Sequence, residues 1–144
     1  MIVGLEHVVG QPVAAVFAAM ADIERRPEWV TPAVERTPLT KGAIRAGSRY
    51  RARDEYPGRR ADFVHEITGY EPDHLLHEAW DGPMAGTGVM RFADADGATA
   101  LTIRMEVNPS GLLRVVAPLL KGWLVRALRK DLVRFEELVA ADNG

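Results

Sequence analysis

Apolar and polar residues alternate most regularly near the start of the chain's last third. Leu101, Ile103, Met105 and Val107 are apolar, while Thr102, Arg104, Glu106 and Asn108 are polar. Period-two alternation predicts a strand with one buried face, because successive side chains leave opposite sides of the backbone. Five such segments, Ser48–Tyr56, Asp62–Tyr70, His74–Asp81, Gly86–Ala93 and Thr99–Val107, are separated by turn signals at Pro57-Gly58, Pro72-Asp73, Gly82-Pro83 and Asp96-Gly97. Val34–Thr40 supplies a further strand, and Ile2–Val9 reads as the first. Between these two, Pro12 can open a helix over Val13–Ala21, since a first turn does not need its missing N–H. A shorter helical piece over Ile23–Arg26 is ended by Pro27.

The spacing changes after Ser110. Leu113, Val116, Leu120, Leu124, Leu128, Phe135 and Leu138 follow a helical stripe, which predicts one long helix over Ser110–Asp142. Pro118 should kink that helix or mark its true start. The fold class expected is α+β: a curved antiparallel sheet of about seven strands wrapped around a long C-terminal helix, with two short helices after the first strand. A chain of 144 residues supports one hydrophobic core, so residues 1–144 are expected to form one domain with one site.

Composition narrows the chemistry. The absence of cysteine excludes disulfides, thiolate metal sites and a cysteine nucleophile, and a reducing compartment is permitted. No signal-like N-terminus and no bilayer-length apolar run are evident, so cytoplasmic residence without integral membrane contact is the expectation. A formal net charge of -2 gives no general attraction to nucleic acid. The basic residues Lys121, Arg126, Arg129, Lys130 and Arg134 read first as a solvated helix face. His74 and His77 fall on opposite faces of a strand and cannot share a metal, and no phosphate-binding loop or nucleophile elbow occurs. Neither a metal nor another cofactor is expected.

Strand alternation also assigns the inner wall. Pairing the last two strands across Asp96-Gly97 puts Phe92, Met90, Gly88 and Gly86 beside the inward set of the last strand, and the two glycines leave room for a ligand or mark a bend. In Ser48–Tyr56, the exposed Arg49, Arg51, Arg53 and Glu55 leave Tyr50, Ala52, Asp54 and Tyr56 inside. A turn centred on Gly58-Arg59 sets Phe63 opposite Asp54, His65 opposite Ala52 and Ile67 opposite Tyr50. Asp54 and His65 then become diagonal neighbours. The next hairpin adds Leu76, Glu78 and Trp80, with Trp80 beside His65 and Glu78 beside Ile67. Trp29, Trp80 and Trp123 read as core or rim residues.

Several stretches carry a resemblance to a known family. They are Val9-Gly10-Gln11-Pro12 leading into Val16-Phe17, then Asp22, Trp29, Gly47 before a strand, and Tyr70-Glu71-Pro72 at a hairpin. The best-matching third runs from Phe92 to Thr102, through Gly111-Leu112-Leu113 and Pro118-Leu119, to Leu132. With the order of elements, the whole chain resembles the START-related polyketide cyclase/dehydrase and lipid-transport superfamily. That resemblance implies a helix-grip fold with an internal cavity, whose pocket differs between members.

Two main functions fit this reading. The first is binding or carriage of a hydrophobic or polycyclic small molecule in a cavity lined by Tyr50, Tyr56, Phe63, Glu78, Trp80, Gly88, Met90, Ile103, Met105, Leu120 and Leu124. The second is cyclisation or dehydration of a poly-β-ketone. There His65 would move protons, Asp54 would orient it, and Tyr50 or Tyr56 would hydrogen-bond a carbonyl oxygen. A regulatory module using the last helix is a third reading, with either a monomer or a homodimer allowed.

Overall fold

The computed structural model describes residues 1–143. Seven strands form one antiparallel sheet: β1 (Ile2–Val9), β2 (Ala33–Pro38), β3 (Arg49–Tyr56), β4 (Arg59–Glu71), β5 (Leu75–Trp80), β6 (Met84–Ala95) and β7 (Ala98–Pro109). Their spatial order is β1-β7-β6-β5-β4-β3-β2. The curved sheet, the short helical segments after β1 and the long C-terminal helix make the α+β fold anticipated from the alternation.

Helix α1 (Val13–Ala21) follows Pro12 and buries Val16, Phe17 and Met20. The next segment is a 3₁₀ turn over Ile23–Glu28 that continues through Pro27 instead of stopping before it. Its purpose in the fold is plain from burial: Ile23 and Arg26 turn inward. Helix α2 spans Ala117–Asn143, and Pro118 lies in its first turn, where no backbone donor is required. A separate 3₁₀ turn over Gly111–Arg114 takes the place of the expected earlier helix start.

Leu124, Ala127, Leu132, Phe135 and Val139 form the buried side of α2. Val116, expected on that stripe, is 44% exposed, because it precedes the helix and lies beyond the core. Trp29 packs on Phe135 with ring centroids 4.8 Å apart. Burial of side chains of this kind contributes about 1.5–3 kcal/mol each relative to exposure, so this seam carries much of the helix's attachment.

Two features of register position the site. The hairpin joining β3 and β4 turns on Pro57 and Gly58, which pairs Tyr56 with Arg59. Proline at the first central position and a glycine with φ of +74° at the second are what a type II turn requires. The expected turn at Gly58-Arg59 is therefore displaced, and pairing changes by two residues. Faces survive such a change while partners do not: His65 stands opposite Tyr50, Ala52 opposite Phe63, and Asp54 opposite Ala61. The second feature is a bulge in β2 between Ala33 and Glu35. Val34 and Glu35 both face outward there, so Arg36 instead of Glu35 turns into the molecule.

Candidate functional site

The inward residues of β3, β4 and β5 form a row across three strands. His65 is paired with Tyr50 on one side and Trp80 on the other. Its imidazole is stacked between their rings, with centroid distances of 4.7 Å to Tyr50 and 5.1 Å to Trp80. The Trp80 pairing agrees with the sequence reading, as does Glu78 opposite Ile67. The Trp80 indole donates to the Met84 carbonyl at 2.8 Å, which fixes this wall of the stack.

Glu78 is the centre of the polar cluster. Arg26 reaches it from the 3₁₀ turn, with Nη1 donating to Oε1 at 2.9 Å and Nη2 2.8 Å from Oε2. Arg26 also donates to the Tyr50 hydroxyl at 3.1 Å and to the Met20 carbonyl at 3.1 Å. Burial would raise the Glu78 pKa, but the Arg26 charge, the nearby His65 ring and the Arg26 hydrogen bonds outweigh it and hold the carboxyl below its ordinary range. Tyr50 is pushed in the opposite sense, well above the usual phenol range, first by burial and then by the Glu78 charge.

Counting protons fixes the His65 tautomer. The single Tyr50 hydroxyl proton goes to the ionised Glu78. Tyr50 oxygen lies 2.9 Å from His65 Nδ1 and can only accept there, so Nδ1 carries a hydrogen. In a neutral imidazole, Nε2 is then a lone-pair acceptor. No protein group among the described residues bonds to it.

Asp54 belongs to a second, separate pair. Arg36 Nη1 donates to Asp54 Oδ1 at 2.6 Å, and the Tyr56 hydroxyl donates to Oδ2 at 3.2 Å. The expected diagonal contact between Asp54 and His65 is corrected by the displaced turn: Asp54 lies four residues along the ladder from the Tyr50–His65 pair. Tyr56 is raised far above the ordinary phenol range, by burial first and by the nearby Asp54 charge second.

Two cavities lie between the sheet and α2. The inner one has a volume of about 160 Å³. Its polar wall is Arg26, Arg36, Asp54, His65 and Glu78, and its apolar wall includes Trp29, Trp80, Met90, Ile103, Met105 and Leu124. Gly88 lines it too, but the Trp80 ring occupies the space over that glycine, and the backbone of Glu106 crowds Gly86. The two glycines thus admit neighbouring atoms where open volume was one expectation. Tyr50 is 1% exposed and stands behind His65 and Glu78, outside the lining.

The outer cavity, of about 350 Å³, is walled by Tyr56, Pro57, Phe63, Met84, Leu120 and Trp123, with Arg59 and Arg126 also lining it. Phe63 and Leu120 therefore belong here and not to the inner space. Sequence reasoning missed Arg26, Arg36 and Asp131. Asp131 also lines the inner cavity, accepts from the Thr31 backbone at 3.0 Å and bonds the Thr31 hydroxyl, which ties α2 to the segment before β2.

Comparison with solved structures places this geometry. TTHA0849 from Thermus thermophilus superposes with a TM-score of 0.84 at 15% identity, with 100% of each chain covered. DR_A0006 from Deinococcus radiodurans gives 0.72 at 20% identity over 95% of each chain. Ara h 8.0201 gives 0.67 at 12% identity over 98% of each. At these identities the likeness establishes the fold alone. No curated protein matches the chain in sequence. A family profile described as "Polyketide cyclase / dehydrase and lipid transport" matches residues 3–140. The chain belongs to that family.

Proposed function

We propose that the protein binds a small, largely apolar molecule carrying a hydroxyl group, held in the inner cavity with the hydroxyl directed at His65 Nε2. The observation that carries this reading is His65 Nε2, which no protein group among the described residues bonds, on a ring held between Tyr50 and Trp80 at the wall of a space whose apolar side includes Met90, Ile103, Met105 and Leu124. Pockets that bind small molecules combine apolar walls with a few placed polar groups in this manner. A space of about 150 Å³ accepts a molecule the size of benzene. One ring therefore fits the inner cavity, which is a narrower expectation than a polycyclic ligand.

All three tryptophans line a cavity, Trp29 and Trp80 the inner one and Trp123 the outer. Titration with simple phenols should quench their fluorescence and raise the melting temperature by mass action on the folded state. His65→Phe should weaken phenol binding about tenfold while toluene binding changes little, which corresponds to one lost hydrogen bond. Absence of both quenching and thermal shift with every phenol would remove the binding reading.

The same lone pair supports a second reading, acid/base catalysis of cyclisation or dehydration. An imidazole facing a substrate can act as general acid or base, and such a group contributes about 10²–10⁴ in rate. In this reading Glu78 and Tyr50 orient His65, and Asp54 orients Tyr56. Assay of poly-β-ketone substrates with wild type and His65→Ala distinguishes the readings: turnover lost in the variant supports catalysis, and no wild-type turnover leaves binding.

A further inference from the structure

We propose that the two cavities are one site for a linear amphiphile, a hydroxyl-bearing ring with an apolar tail, and that Tyr56 is the movable partition between its two halves. This rests on the binding reading above and adds the shape of the ligand and the residue that sorts it.

Tyr56 lines both cavities. The two lie in series beneath α2, with Leu120 and Trp123 over the outer one and Leu124, Ala127 and Leu128 over the inner one. Leu120 to Leu128 is about 12 Å of helix at 1.5 Å per residue, the length of an extended molecule and not of a compact one. Chemistry divides in the same order. Both buried arginine–carboxylate pairs and His65 are at the inner end, whereas Pro57, Ala61, Phe63, Met84 and Leu120 line the outer, which has Arg59 and Arg126 but no carboxylate in its lining. A head of one ring fills the inner volume, and its tail has the larger apolar volume beyond Tyr56.

Tyr56 is held in a way that permits displacement. It is the last residue of β3, beside the Pro57-Gly58 turn. Its hydroxyl makes one hydrogen bond, of 3.2 Å, to Asp54, and its ring meets Phe63 and Trp123 edge-on, at centroid distances of 6.4 and 5.7 Å. Removing that bond does not strand a buried charge, since the other Asp54 oxygen keeps Arg36 at 2.6 Å. The ring can therefore turn aside without dismantling the polar end.

The test is a series of 4-methyl-, 4-butyl- and 4-octylphenol titrated against wild type, Tyr56→Phe and Tyr56→Trp by tryptophan fluorescence, with binding rates taken by stopped flow. In wild type, affinity should rise with tail length, by up to about fourfold for each methylene buried. Tyr56→Trp should bind 4-methylphenol within about threefold of wild type and lose most of the gain from the tail. Tyr56→Phe, which keeps the ring and loses the bond to Asp54, should take up 4-octylphenol several-fold faster. If Tyr56→Trp does not fold, that rate decides the matter, and an unchanged rate overturns the partition. A wild type that binds 4-methylphenol but gains nothing from longer tails overturns the joined site and leaves the binding reading intact. Failure of every phenol with every protein overturns both.

Discussion

Arg26 grips Glu78 with both arms of its guanidinium, although one residue sits in a 3₁₀ turn and the other on a strand 52 positions later. The two side chains are only 9% and 3% exposed, so neither charge has water to fall back on. A desolvated pair of this kind is costly to build and more costly to break from one side.

Arg26→Met should accordingly destabilise the protein by about 3–5 kcal/mol, because it leaves an ionised carboxylate in an apolar setting. The double variant Arg26→Met with Glu78→Leu should recover most of that loss. Urea denaturation of both variants checks this. A double variant no more stable than the single one would mean that the pair supports the fold through more than its charges.

Acid stability should depend on the same carboxylate. A glutamate in the unfolded chain titrates at about 4.3. Burial pushes the folded Glu78 upward, but Arg26 and His65 pull it further down, so its folded value lies below the unfolded one. Between the two values the unfolded chain binds the extra proton, and stability falls as pH falls. The contribution is whole above about pH 5 and is lost progressively below about pH 4. Glu78→Gln should flatten this acid limb by up to one proton in the slope of stability against pH, measured by urea titration at stepped pH.

Gly86 and Gly88 face the same side of β6 but should respond differently to alanine. A Cβ on Gly86 would run into the Glu106 carbonyl oxygen, which belongs to backbone and must move. On Gly88 the nearest atom would be a Trp80 ring carbon at 3.3 Å, a side chain with some freedom. Gly86→Ala should cost at least about 1–3 kcal/mol, as overpacking does, and Gly88→Ala markedly less. Thermal melting of the two variants makes the comparison; equal losses would contradict the backbone clash.

Much of this was readable from residue order because a strand's period is two. Leu101 through Val107 and Tyr50 through Tyr56 declared their faces without any knowledge of neighbours. Partners were harder, since they depend on where a turn is centred, and Pro57-Gly58 moved His65 from Ala52 to Tyr50. The cations were hardest. Arg26 lies in the charged run of the expected short helical piece, where nothing marks one cation as buried, and Arg36 is turned inward by a bulge that alternation does not reveal. One signal was present: Asp54 and Glu78, both assigned to the inner wall, each required a buried positive partner.

Leu124 and Leu120 separate the core from the outer cavity. Leu124 is buried among the residues that attach α2, whereas Leu120 is partly exposed in the outer wall. Leu124→Ala should cost about 2–5 kcal/mol as a cavity substitution. Leu120→Ala should cost less in stability and, by removing apolar contact from the outer wall, weaken 4-octylphenol binding more than 4-methylphenol binding.

The bulge in β2 has a consequence for how the molecule meets others of its kind. β2 forms one border of the sheet, and a flat border strand offers its free N–H and C=O groups as a template for another chain. Here the doubled outward residues Val34 and Glu35 interrupt the ladder, and Pro38, without an N–H, ends the strand. Deleting Val34 would restore regular spacing while leaving Arg36 inward. Such a variant would keep its pocket yet gain an adhesive border, a route to self-association that the extra residue closes.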